Sequence, residues 1–338
     1  MLLNPLDGVG VAVNELKSAE VAMRQSGMDY DIAIQGHENP FTHKPSDRFK
    51  GVFRTDTGEM LGSVEGGYSL MQNRDFFPPL VDKITSETAA RIVRAGQWDS
   101  GAYAFMTLQW PEEMDINLLG VDRVQRRVML TINHTGKQSN LFMFVPYRFW
   151  CSNGQIVLIP GCDWMFRVFH KATITQRVKD IEETLQRSMV YWDQLPHVLE
   201  VLATTKVTDA KAEDIAKKFF DPQNKAKDMK DGKPNEAKER VARFMHLWDD
   251  QPGSGKMGNS GIEKTAWWAL QAGIHMLDHD RNTRVRKGQK EVPGMAELHR
   301  FKAHWPGNQA ARDKERLTHA LYHDKDLGIH ERINLCLN

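Results

Sequence analysis

The sequence predicts an α+β fold: an antiparallel sheet with a short and a long amphipathic helix packed on it, followed by a mainly helical C-terminal region. Three observations carry that expectation. Residues 50–66 read as a hairpin, the runs 90–96, 101–110, 126–134 and 140–149 read as strands, and apolar residues recur at three and four places from Ile174 to Trp192.

In the hairpin, Val52 and Phe53 precede a polar turn at Asp56-Thr57-Gly58, and Leu61 to Val64 return from it. Asn73 is placed to cap a short helix in which Phe76, Phe77, Leu80 and Ile84 fall at helical spacing, with Pro78 and Pro79 tolerated only near its first turn. Val128, Leu130 and Ile132 alternate with Met129, Thr131 and Asn133, the period-two pattern of a half-buried strand, and His134-Thr135-Gly136-Lys137 turns into the next. Residues 164–170 make a further short strand. Ile174, Val178, Ile181, Leu185, Met189 and Trp192 line a helix that Pro196 is expected to end. Gly58, Gly62 and Gly136 read as turn residues.

These elements define a core domain over 1–205. Residues 206–258 form a charged helical or linker region, with 11 basic and 8 acidic residues between Lys206 and Arg243. Residues 259–338 form a helical C-terminal region with a basic tail, in which Ile262, Ala266, Trp267, Leu270, Ile274 and Leu277 share one helix face.

The 338 residues are 41% hydrophobic, enough for a substantial core, yet no apolar run is long enough to span a membrane. The N-terminus lacks the pattern of a secretory signal, and three cysteines (Cys151, Cys162, Cys336) are too few for a disulfide framework. A cytoplasmic protein is expected.

The net charge of +1 hides an uneven distribution. Residues 1–122 carry 10 Lys/Arg against 18 Asp/Glu, whereas 123–177 carry 8 against Asp163 alone. The basic segment (Arg123, Arg126, Arg127, Lys137, Arg148, Arg167, Lys171, Arg177) is also rich in rings: Phe142, Phe144, Tyr147, Phe149, Trp150, Trp164, Phe166 and Phe169. Two readings follow. Cations neutralise phosphates while rings stack on unpaired bases, or the rings are core and the arginines sit at strand ends. A second run, Arg281, Arg284, Arg286, Lys287 and Lys290, is a solvated loop or a phosphate-contacting arm.

Catalytic signatures are weak. His275 and His279 lie one helical turn apart beside Asp278, a spacing that can hold a metal, but no third ligand stands at a telling distance. Gly253-Ser254-Gly255-Lys256 echoes the end of a phosphate loop without its first glycine or a preceding strand. No dinucleotide fingerprint or nucleophile elbow occurs, and no cofactor is expected.

Several strings resemble a phage- and plasmid-encoded family catalogued as domain of unknown function 932. Arg54-Thr55-Asp56-Thr57-Gly58, Leu61-Gly62-Ser63-Val64, Tyr68 and Gln72-Asn73 resemble its opening motif. His134-Thr135-Gly136 and Arg148-Phe149-Trp150-Cys151-Ser152-Asn153 resemble its second block, with Gly154 where the family usually has Thr. Phe169-His170, and later Trp267, Trp268 and Asp278-His279, resemble its remaining signatures. The element order is also similar, at the level of topology, to single-strand annealing proteins of the Redβ, Erf and Sak group.

The leading expectation is a DNA-metabolism protein that binds single-stranded DNA and promotes annealing as a homo-oligomer. Phosphates would meet Arg123, Arg126, Arg127, Lys137, Arg148, Arg167, Lys171, Arg284, Arg286 and Lys287, and bases would stack on some of Phe142, Phe144, Tyr147 and Trp150. Alternatives are a metal-dependent nuclease acting through His275, Asp278 and His279, and a host-interaction protein docking on an acidic partner.

Overall fold

A computed structural model describes residues 10–16, 18–38, 41–148, 159, 162–168, 174–220, 236–251, 262–280 and 309–337, with the side chains of 14–16, 47, 174–188, 236, 279–280 and 310 excepted. The fold is α+β. Its centre is a six-stranded antiparallel sheet in the order β1-β5-β6-β9-β10-β12, built from Val11–Leu16, Arg91–Trp98, Tyr103–Gln109, Arg127–Asn133, Asn140–Phe144 and Met165–Val168. Two three-stranded sheets flank it: β2 (Ile32–Glu38), β3 (Pro45–Arg54) and β4 (Met60–Glu65), and β7 (Ile116–Leu118), β8 (Asp122–Gln125) and β11 (Tyr147–Arg148). Helices α1 (Ala19–Gln25), α2 (Asn73–Thr88) and α3 (Ile174–Thr204) accompany the sheets. Then follow α4 (Asp209–Phe220), α5 (Glu236–Asp249), α6 (Ala266–His275), α7 (Gln309–Tyr322) and α8 (Ile329–Leu337).

The central strands are covered on both faces, which corrects the half-buried reading of β9. All seven residues of β9 and all five of β10 are buried. Alternation in β9 therefore separates two interior faces. On one of them Phe142 and Phe144 meet Phe166 of β12, and Phe144 stacks on Tyr191 of α3 with ring centroids 5.0 Å apart. β6 and β9 pair without a bulge from Tyr103↔Asn133 to Gln109↔Arg127, so the register of this face is fixed over its whole length.

Three proline and capping expectations fail for one reason. α2 runs through Pro78 and Pro79, and α3 runs through Pro196 to Thr204. An interior proline costs a helix about 3 kcal/mol. Phe76, Phe77, Leu80, Val81 and Ile84 in α2, and Leu195, Val198, Leu199 and Leu202 in α3, are all buried, and burial of several such side chains at about 1.5–3 kcal/mol each outweighs that cost. Asn73 is the first residue of α2 rather than its cap, and its side chain is used elsewhere.

One apolar core runs from Val13 through the central sheet and α3 to Trp248, Trp267, Leu317 and Ile333. The helices of the charged 206–258 region contribute Ile215, Ala216, Phe244, Leu247 and Trp248 to it, so their polar residues are one face of amphipathic helices. A smaller second core of Tyr30, Ile32, Val52, Leu61, Val64 and Ala102 lies beneath the β2–β4 sheet. That sheet meets the central one where Gly62 of β4 faces Thr135. Gly62 is thus a mid-strand residue, not a turn residue: a Cβ there would collide with the Thr135 backbone. Gly62→Ala is expected to lower stability by about 1–3 kcal/mol in a urea titration; an unchanged midpoint would show that the junction can separate.

Candidate nucleic-acid interface

Among the described residues, several of the basic and aromatic side chains singled out in the sequence lie inside the protein. Phe142, Phe144 and Tyr147 are buried. Arg148 is wholly buried: its Nε donates to Asp122 Oδ2 at 2.6 Å and its Nη1 to Gln251 Oε1 at 3.0 Å, and its guanidinium lies about 6 Å from the rings of Trp267 and Trp268. Trp267 Nε1 also donates to Asp122 Oδ2, at 2.8 Å. Arg127 is buried, lies over the Tyr147 ring at 4.4 Å and donates to Gln125. Arg123 pairs with Asp115 and Glu112. Arg126 is half-buried against Trp192, and that burial holds its guanidinium below the ordinary arginine range. The expected contacts of Phe142, Phe144, Tyr147, Arg127 and Arg148 are corrected accordingly: these side chains are buried, so neither phosphates nor bases reach them, whereas Arg123 and Arg126 are partly exposed. Lys137 and Arg167 are exposed. Trp150, Lys171, Arg284, Arg286 and Lys287 lie outside the described residues, as does the side chain of His279.

The metal candidates are also committed elsewhere. Asp278 sits in a π-helical turn, Met276–Asp280, with its carboxylate 2.5 Å from the Lys314 ammonium, both side chains fully buried. His275 is buried in the last turn of α6. Among the described residues no group of three or more His, Cys, Asp or Glu is disposed to hold a metal ion.

The strings of the opening motif form a second buried junction. Gln72 bonds both the N–H and the C=O of Ile32, at 2.9 and 2.8 Å, closing the edge of β2. Asn73 Nδ2 donates to Met28 O, which leaves Asn73 Oδ1 to accept from His134 Nε2 at 2.9 Å and so fixes the proton on that nitrogen. Tyr30 donates to Gly101 O at 2.6 Å and packs edge-on to His134, while Arg54 lies over the Tyr30 ring at 4.0 Å and chelates Asp56. Burial pushes the Tyr30 phenol up to about 12.

A chain with these two junctions matches a family model described as "Domain of unknown function (DUF932)" over residues 60–305. The chain belongs to the DUF932 family. No curated protein and no solved structure matches it. Seen in three dimensions, the family's strings at 54–73 and 134–136 meet in one junction, and Arg148 meets Trp267 and Trp268 in the other. In this DUF932 chain both are joints of the fold.

The surface that does expose rings lies elsewhere, on the outer face of the β2–β4 sheet. Antiparallel sheets turn a polar face to water. Here β3 turns out Phe49 and Phe53, Met60 of β4 stands directly opposite Phe53, and Phe41 projects from the β2–β3 loop. Phe41 is 91% exposed, and Phe49 and Met60 are each 46% exposed. The Phe53 ring lies across Gly51, where any Cβ would strike it. Gln35 and Ser63 flank Gly51 on the same face, and His37 bonds Ser63 at 3.1 Å. Arg48 leans over Phe49, 5.1 Å from its ring, with Lys44 exposed nearby. The sequence signal was available: Phe49-x-Gly51-x-Phe53 makes β3 apolar on the face opposite Val52 as well.

Arg148→Ala is expected to cost about 3–5 kcal/mol of stability, because it strands Asp122 inside the protein; a denaturant titration showing under about 1 kcal/mol would contradict the joint. Alkali provides a second check. The unfolded Tyr30 releases its proton near pH 10 and the folded one near 12, so its share of stability is intact below pH 10 and is lost as pH rises towards 12. Tyr30→Phe should flatten that decline in unfolding curves taken at pH 9, 10 and 11.

Proposed function

We propose that this DUF932 protein binds single-stranded DNA on the outer face of the β2–β4 sheet and, as an oligomer, brings complementary strands together in phage or plasmid DNA metabolism. The supporting observation is the outward array of Phe49 and Met60, both exposed, with the half-buried Phe53 ring lying over Gly51. An aromatic face open on one side accepts any base by stacking, worth about 1–3 kcal/mol per base. A base held by one π face keeps its Watson–Crick edge exposed, which is what pairing with a second strand requires.

Charge around the platform is mixed. Lys44 and Arg48 are exposed beside it, but so are Glu38, Glu59 and Glu65. Stacking therefore supplies most of the affinity, and the salt response should be shallow. Two phosphates neutralised by Lys44 and Arg48 give a slope of log affinity against log salt of about −1.4, where the ten cations expected from the sequence would give about −7.

Fluorescence anisotropy of a labelled single-stranded oligonucleotide, titrated at several salt concentrations, tests this. Phe49→Ala and Phe53→Ala should each weaken binding roughly 5- to 150-fold and leave the melting temperature unchanged. Absence of binding at low salt, or binding indifferent to both substitutions, would overturn the proposal. A change in oligomeric state without any DNA affinity would assign the face to a protein partner.

A further inference from the structure

A second site lies on the opposite side of the chain's chemistry, in the C-terminal helices, and is independent of the reading just given. α4 and α7 leave an open groove of about 530 Å³ lined by Lys218, Phe219, Glu315, Arg316, His319 and Ala320. That volume is within the range of small-molecule sites. Phe219 supplies an aromatic wall, braced edge-on by Phe220 at 4.8 Å. The Arg316 guanidinium lies 5.8 Å from the Phe219 ring, and its one ion pair among the described residues is a long 3.4 Å contact with Asp313. Lys218 stands on the same lip, shared with Asp214 at 2.7 Å. We propose that this groove binds a nucleotide-sized ligand, its ring against Phe219 and its phosphate between Arg316, Lys218 and His319.

His319 joins the site to a row of imidazoles. Its ring is 4.1 Å from that of His323, which is 4.9 Å from that of His330 on α8. The rings are tilted to one another by 40° and 34°. Burial and the two neighbouring imidazoles hold His323 below the ordinary histidine range. Lys211 already engages Asp324 and Asp326, at 2.7 and 2.6 Å. Glu315 is the carboxylate within the groove; burial pushes its carboxyl up, while its hydrogen bond from Trp164 Nε1 acts the other way.

The test uses the full chain and a 3′,5′-cyclic nucleotide, whose single phosphodiester charge does not change between pH 5.5 and 8, with the free nucleoside and inorganic phosphate as separate arms. Calorimetry should show the cyclic nucleotide binding more tightly than either fragment. Phe219→Ala and Arg316→Ala should each weaken it roughly 5-fold or more, and His319→Gln should weaken it while leaving the melting temperature in place. Phe49→Ala should leave it unchanged, so failure of the sheet-face reading and failure of this one are told apart. Binding indifferent to Phe219→Ala or Arg316→Ala, or equal affinity for all three probes, would overturn the site.

Discussion

The Arg148–Asp122 pair is the interaction on which the arrangement of the molecule depends. Two full charges lie 2.6 Å apart with no exposure to water. Such a pair is tolerated only when its remaining hydrogen-bonding capacity is met. Trp267 and the backbone N–H of Arg123 meet it on the carboxylate side, and Gln251 meets it on the guanidinium side. The network then continues outward, since Gln251 donates to Trp268 O, Trp268 Nε1 to Trp248 O, and Trp248 Nε1 to Asp209. Strand β8, strand β11 and helices α4, α5 and α6 are thereby held by one chain of polar contacts inside an apolar core. Polar partners of fixed direction specify orientation in a way that apolar contacts alone do not. The helical C-terminal region is consequently locked to the sheet.

How far the fold was legible follows from the range of the forces involved. The hairpin at 50–66, the four strand runs and the start of the long helix are written in local periodicity and occur near their expected places. The run 140–149, however, divides into β10 and β11 in different sheets, and the helix continues past Pro196 to Thr204. Local pattern cannot say what covers the second face of a strand. β9 reads as half-buried because Thr131 and Asn133 interrupt its apolar run, yet both are buried, Asn133 accepting from the N–H and hydroxyl of Thr135. Likewise Pro196 carries a strong local stop signal, and long-range burial of the following turn overrides it. The short strands β7 and β8 are too brief for a periodicity to stand out. Helices α7 and α8, by contrast, are amphipathic, with Ala311, Leu317 and Leu321 and then Ile329 and Ile333 buried within a mostly polar stretch of sequence.

The candidate site was legible in kind but not in place. A basic, ring-rich segment is what a nucleic-acid surface and a two-sided core joint both look like in one dimension, since arginine serves a buried carboxylate as readily as a phosphate. What separates the two is the availability of a buried polar partner. Asp115 and Asp122 take up Arg123 and Arg148, and Gln125 takes up Arg127. Part of the positive charge of 123–177 is thus neutralised by the last acids of the preceding segment.

That neutralisation changes what a strand of nucleic acid would find on the outside. The β2–β4 sheet belongs to the acidic portion of the chain, where 18 acidic residues face 10 basic ones. A surface evolved for tight electrostatic capture would place its rings amid cations, as counterion release dominates such affinities. Rings set amid mixed charge instead favour partners whose bases are already unpaired and reward them through contact at short range. Weak Coulombic capture also lets a strand leave easily, and reversible holding is compatible with strands that must search for their complement. Gly51 fits those terms: the Phe53 ring occupies the space a Cβ would fill, and the position adds no charge.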